Sequence, residues 1–187
     1  MPEAPLLCDA EQSILVIADI QPRLAEAMPA DEFRNMLKSC IVLLEAAKAL
    51  AIPVLLTEQY PDALGTTHPE ILAHMPPGVM PLAKTGFACS SAKGFDTLLE
   101  RSGRTQVILT GLEAHVCVLQ AAFVLLSRGW QVFVVEDAVC SRRPEHKIYA
   151  LERMRQAGVV VLAGESVVFE WLRDARHPHF RELVGLL

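Results

Sequence analysis

Five short apolar runs, Ile14 to Ala18, Val54 to Leu56, Val107 to Leu109, Val132 to Val135 and Val159 to Leu162, pass without polar alternation. A strand with one face in water alternates apolar and polar residues, so runs of this kind belong to parallel strands covered on both faces. Between them lie stretches with helical spacing. In Met36 to Leu50, Leu37, Ile41 and Leu44 share a face while Lys38, Glu45 and Lys48 fall elsewhere. Gly129 follows the helix after Cys117, Pro144 opens the next, and Gly158 closes that one just before Val159. Parallel neighbours are joined by right-handed crossovers, so the alternation implies an α/β three-layer sandwich with a parallel sheet between helices. A sixth, weak strand at Val79 to Leu82 contains Pro81 and should sit at an edge. The segment from Glu58 to Pro77 shows no periodicity and reads as a long loop of the kind that lines sites.

The 187 residues suit a single domain, 1–187, with a core large enough to need no disulfide or metal. A chain 52% hydrophobic and 21% charged is too apolar for disorder. With a net charge of −5 and scattered Lys and Arg, no basic stripe exists to neutralise phosphates, so no nucleic-acid partner is expected. The longest apolar stretch, around Ala114 to Leu126, is broken by His115 and Gln120, so no membrane span is expected either. The first residues, MPEAPLLCDAEQS, carry acids instead of a basic region and an apolar core, which argues against an export signal and for a cytoplasmic location. Cys8, Cys40, Cys89, Cys117 and Cys140 are odd in number and lack CxxC or zinc-like spacing. At least one is a free thiol, and a reducing compartment suits all five.

Ligands of open α/β sheets bind at the carboxyl ends of the strands. Asp19 ends the first strand in VIADIQ, Lys84 follows the weak edge strand in PLAKTGF, and Cys117 follows the fourth strand in ILTGLEAHVCV. Singly, each has an ordinary reading: a helix cap, a solvated charge, a small packed residue. Together they make a nucleophilic site. A cysteine in the first turn of a helix faces unpaired N–H groups that stabilise a thiolate and could hold an oxyanion. A carboxylate beside it can take its proton, and an ammonium favours both anions.

These residues carry a resemblance. DIQ, LAKT and TGLEAHVCV, in the order Asp, Lys, Cys, resemble the isochorismatase-like cysteine hydrolases. Within that superfamily TEQYPDALGTTHPE, PLAKTGF, GLEAHVC and ALERMRQAG resemble the group that includes isochorismatase domain-containing protein 2, over a stretch from Ser13 to Phe180. The resemblance implies the isochorismatase-like hydrolase fold with strand order 3-2-1-4-5-6 and a catalytic triad of Asp19, Lys84 and Cys117. It also implies a cis peptide between Leu112 and Glu113, and an oxyanion hole formed by the backbone N–H groups of Glu113 and Cys117. Nicotinamidases, similar in fold, hold a metal through Asp-x-His after the second strand; this chain reads TEQYP there, with Glu58 and Tyr60, so no catalytic metal is expected. No cofactor is expected: GxGxxG is missing after the first strand. Authentic isochorismatases lack the cysteine and cleave a vinyl ether. Cys117 favours instead hydrolysis of an amide-like carbon–nitrogen bond in a small molecule, through a thioester. The alternatives are an oligomeric binding or scaffolding protein with little turnover, and vinyl-ether hydrolysis.

Gln21, Tyr60, Phe87 and Leu112 fall near the strand ends and are expected to line the pocket. His115 lies two residues from Cys117, which along a helix points it to another face. His68, His74, His177 and His179 have no carboxylate at ligand spacing, and Cys89 and Cys140 are expected to pack. The helix after Cys117 is apolar on nearly every side, with Val116, Val118, Leu119, Ala122, Phe123, Val124, Leu125 and Leu126, so at least a homodimer is expected.

Overall fold

The computed structural model describes residues 6–187. Its strands are β1 (Ser13–Ala18), β2 (Val54–Gln59), β3 (Leu82–Lys84), β4 (Gln106–Leu112), β5 (Gln131–Cys140) and β6 (Val160–Leu162). They pair in parallel in the order β3-β2-β1-β4-β5-β6. The helices are α1 (Pro22–Ala25), α2 (Ala30–Ala49), α3 (Pro61–Leu64), α4 (Pro69–His74), α5 (Phe95–Arg101), α6 (Leu119–Ser127), α7 (Pro144–Gln156), α8 (Gly164–Leu172) and α9 (Phe180–Val184).

The unalternated runs are explained by what covers them. In β1, Leu15 and Ile17 enter one core with Leu43 and Leu44 of α2 and Trp171 of α8, while Ile14 and Val16 enter a second core with Phe95 and Leu99 of α5, Leu125 of α6 and Met154 of α7. Each such buried side chain contributes about 1.5–3 kcal/mol. The strands outrun the apolar runs because polar residues continue the ladder: β2 ends in Thr57, Glu58 and Gln59.

Three expectations are corrected. The edge strand begins at Leu82 instead of Val79, leaving Pro81, which has no N–H to give, outside the ladder. The stretch after Glu58 is not one long loop: α3 and α4 occupy much of it, and each opens on a proline, Pro61 and Pro69, whose fixed φ suits the first helical position. The helix read from Met36 starts at Ala30, where Asp31 and Glu32 lie in its first turn and suit the positive end of the dipole.

The chain runs outward from β1 through β2 to β3, then crosses back to β4 on the other side of β1, so the crevice between the carboxyl ends of β1 and β4 is the switch point of the sheet. Gly111 lets the two strands meet there. Its φ is 112°, and a Cβ on it would stand 2.0 Å from the Ala18 carbonyl oxygen. All five cysteines are buried and free. Among the described residues no helix is long and apolar enough to cross a membrane. The expectation about an export signal rests partly on residues 1–5, which lie outside the described residues.

Candidate active site

Asp19 follows β1 directly and is fully buried, with a left-handed backbone (φ 53°) of the kind that clusters at functional sites. Its N–H donates to the Thr57 carbonyl at 3.1 Å. One carboxylate oxygen, Oδ1, accepts from Thr57 Oγ1 at 2.7 Å, and the other, Oδ2, accepts from Lys84 Nζ at 2.6 Å. Lys84 closes β3 two strands away, and β2 lies between them to supply Thr57 and Gln59. The ammonium also donates to Gln59 Oε1 at 2.6 Å, to the Phe87 carbonyl at 2.9 Å and to the Gly86 carbonyl at 3.2 Å. The Cys117 sulfur stands 3.7 Å from it. The structure therefore brings the three sequence candidates to one point.

Cys117 reaches that point through an unusual segment. After β4 comes a cis peptide between Leu112 and Glu113, then a π-helical turn, Ala114–Val118, and only then α6. The thiol thus lies in the first turn of a continuous helical segment, a turn that is π-helical instead of α-helical. Burial pushes the Cys117 thiol up, the Asp19 charge adds to this, and Lys84 opposes it. Among the described residues Cys117 is nevertheless the most exposed cysteine, at 5% against 1% or less for the others.

The side chain of Glu113 is clasped by Arg142. Nε stands 3.1 and 3.0 Å from the two carboxylate oxygens, Nη2 2.6 Å from Oε1, and the Arg142 N–H 3.0 Å from Oε2. Burial works against the charge, but these bonds hold the Glu113 carboxyl below its ordinary value. Ser141 lies between β5 and Arg142: its Oγ is 3.0 Å from His115 Nδ1, and the His115 ring packs on His146 at 4.7 Å between centroids. Burial, with His146 and Arg142 nearby, keeps His115 below its usual value. His115 faces Ser141 and His146, as its spacing from Cys117 implies.

The four expected pocket residues divide. Tyr60 and Phe87 are exposed near Lys84: the Tyr60 N–H donates to the Lys84 carbonyl at 2.7 Å, and the Phe87 carbonyl accepts from its ammonium. Leu112 and Gln21 are fully buried. Gln21 spends its amide on backbone: Nε2 donates to the carbonyls of Gln59 and Gly65 at 2.9 and 2.5 Å, and Oε1 accepts from the Gln59 N–H at 2.7 Å. Sequence reasoning missed Thr57, Gln59 and Arg142. For the first two the signal was present, since residues two apart at a strand end share a face. Cys89 was read as inert packing, and it lies in a 3₁₀ turn with its sulfur 3.8 Å from Thr57 Oγ1, its thiol pushed up to about 12 by burial and then by Asp19.

Glu58 and His74, which could otherwise offer metal ligands, are paired, while His68 packs its ring with Nδ1 buried and without a hydrogen bond. Glu58 accepts from the Thr67 N–H and hydroxyl, both at 2.7 Å, His74 Nδ1 is 2.6 Å from Glu45 Oε1, and the His68 ring packs on Phe33. Among the described residues no three His, Cys, Asp or Glu side chains converge as a metal site.

A doubly wound parallel sheet in this order, with polar groups gathered at its switch point, defines an α/β fold whose candidate site lies where such sheets bind ligands. The isochorismatase domain family matches residues 13–166, and the chain belongs to that family. It is 38% identical over 175 residues to isochorismatase domain-containing protein 2 of Danio rerio, covering 94% of this chain and 86% of the relative. Among solved structures it is similar to a protein described as MAR1 ribonuclease from Caenorhabditis elegans, with 34% identity, a TM-score of 0.90 and coverage of 97% of this chain and 92% of the other. It is also similar to YcaC from Pseudomonas aeruginosa, solved with hexane-2,5-diol and covalent acrylamide, at 26% identity, TM-score 0.89 and coverage of 98% and 92%.

Proposed function

We propose that this protein is a cysteine hydrolase of small amide-like substrates. The observation that carries the reading is the Lys84 ammonium, held 2.6 Å from Asp19 Oδ2 and 3.7 Å from Cys117 Sγ. Asp19 takes the thiol proton as sulfur attacks the carbonyl carbon, and Lys84 stabilises the negative charge as it moves. The backbone N–H groups of Glu113 and Cys117 hold the developing oxyanion, and the Arg142 clasp keeps the Glu113 segment in place. Collapse breaks the carbon–nitrogen bond, and the leaving amine receives the proton from Asp19. Water, deprotonated by the same carboxylate, then cleaves the thioester and frees Cys117. Burial and the Asp19 charge both disfavour the free thiolate, which suits a base that acts as the attack proceeds. Tyr60 and Phe87 flank the substrate, while the fully buried Leu112 and Gln21 support the pocket wall from behind. Covalent acrylamide on the P. aeruginosa relative fits a nucleophile on this fold.

The test is a panel of small amides assayed for ammonia or amine release with the wild type and Cys117→Ala. Turnover falls by about 10³-fold or more in the variant. It survives exhaustive chelation, because Glu58 and His74 already have partners and no three ligand side chains converge among the described residues. Pyruvate release that persists in Cys117→Ala would instead mark vinyl-ether chemistry. RNA cleavage would align this chain with the name of the C. elegans relative. No turnover on any substrate would favour a binding or scaffolding role.

The same reading places one domain in the cytoplasm, where five free thiols remain reduced, and assembles it with itself. Arg153 covers the Phe123 ring of α6, 5.6 Å from its centroid, but Ile148 and Tyr149 on α7 stand 61% and 62% exposed. Adjacent large apolar side chains on one helix are the kind of surface that a second copy covers. Sedimentation at micromolar concentration should show a dimer or larger assembly; a strictly monomeric profile would overturn this.

A further inference from the structure

We infer that Gln59 is a positioning residue, whose side-chain oxygen fixes the Lys84 ammonium between Asp19 and Cys117; this rests on the reading of Cys117 as nucleophile. An ammonium has three protons to give. Four oxygens surround Lys84 Nζ, and the two nearest belong to side chains, Asp19 Oδ2 and Gln59 Oε1, each at 2.6 Å. The carbonyls of Phe87 and Gly86 lie farther, at 2.9 and 3.2 Å, and the sulfur farther still at 3.7 Å. The ammonium is therefore fully subscribed before it reaches the thiol. It acts on Cys117 as a fixed charge, and whatever fixes it sets how readily the thiol ionises.

Gln59 is built for that task. Its Nε2 donates to the Thr85 carbonyl at 2.7 Å, which leaves Oε1 to face the ammonium; a flipped amide would aim N–H groups at a cation. Its backbone is pinned at both polar atoms by the buried Gln21 amide, at 2.7 and 2.9 Å. The same Oε1 lies 4.0 Å from Cys117 Sγ, within reach of the thiol proton. Gln59 thus touches both the cation and the thiol and carries no charge of its own. Loss of its oxygen leaves Lys84 free to follow the carbonyls of Gly86 and Phe87, away from the sulfur.

The test follows Cys117 alkylation by iodoacetamide against pH, read by peptide mass spectrometry, with melting curves run beside it. Gln59→Met keeps the volume and removes the oxygen; Gln59→Asn keeps an amide but withdraws it by one methylene. Both should move the alkylation profile to higher pH by about one unit, a roughly tenfold slower reaction at a fixed pH below the midpoint. In a Lys84→Gln background, Gln59→Met should change the rate by less than about twofold, because its effect runs through the ammonium. A purely structural role gives a different pattern: a lowered melting temperature with an unmoved profile, or an equal loss in both backgrounds. Either result overturns the inference. Asp19→Asn and Lys84→Gln separate the two levels. If both leave Cys117 alkylation unchanged, the reading of the site fails and the inference with it. If they change it and the Gln59 variants do not, only the inference fails.

Discussion

Asn in place of Asp19 lowers turnover by about 10²–10⁴-fold, the range expected when a positioned proton acceptor is lost. The amide is nearly isosteric, and its oxygen can still meet Thr57 Oγ1 or Lys84 Nζ, but it cannot take the thiol proton. Stability falls as well. Asp19 and Lys84 form an ion pair with both side chains fully buried, and removing one charge from such a pair costs about 3–5 kcal/mol. The remaining acceptors around Lys84, on Gln59, Phe87 and Gly86, place the loss near the lower end. At about 2–4 °C per kcal/mol for a chain of this size, the melting temperature drops by about 6–12 °C. Turnover, Cys117 alkylation and melting should be measured side by side at a temperature where the variant is folded. A helix-capping or packing role for Asp19 gives the lower melting point with near-normal turnover per folded molecule. Unchanged turnover and alkylation would remove Asp19 from the mechanism.

The second large effect is on folding. Gly111→Ala introduces a Cβ 2.0 Å from the Ala18 carbonyl oxygen, which belongs to backbone and cannot rotate away. It also places a side chain at φ 112°, outside the regions that L-residues favour. Overpacking costs about 1–3 kcal/mol and backbone strain a similar amount, so the loss is about 4 kcal/mol. Relief requires β4 to move off β1 where Ala18 leads into Asp19, so whatever folds should also be slow. Urea unfolding checks this. A loss below about 1 kcal/mol would mean that the strands separate locally at little cost, and that the close approach at the switch point is not a constraint.

Much of the sheet was legible because it is parallel and buried on both faces, which writes an unalternated run into each central strand. β3 was the least legible, since three residues at an edge beside Pro81 bury little and so leave little apolar signal. The helices α3 and α4 were invisible for a related reason: at four and six residues they are too short for periodicity, and proline, which usually argues against a helix, opens both. Asp19, Lys84 and Cys117 could be named because each is a chemically distinctive residue at or just beyond a strand end. The strand order and the cis peptide came from family resemblance, as pattern alone cannot order parallel strands or set ω. Thr57, Gln59 and Arg142 went unnamed because neutral amides, hydroxyls and a half-exposed arginine are common everywhere, and only the fold shows whose charge they hold. The π-helical form of the turn that carries Cys117 was not legible, because it has no distinctive composition.

The most direct measurement is to trap the acyl-enzyme. The wild type is mixed with an amide that it turns over, quenched in acid within the steady state, and examined by intact mass and peptide mapping. The account predicts the acyl group of the substrate on Cys117, with the amine already released, and its loss in Cys117→Ala together with turnover. An acyl group on Cys89, or undiminished turnover by Cys117→Ala with no covalent species, would contradict it.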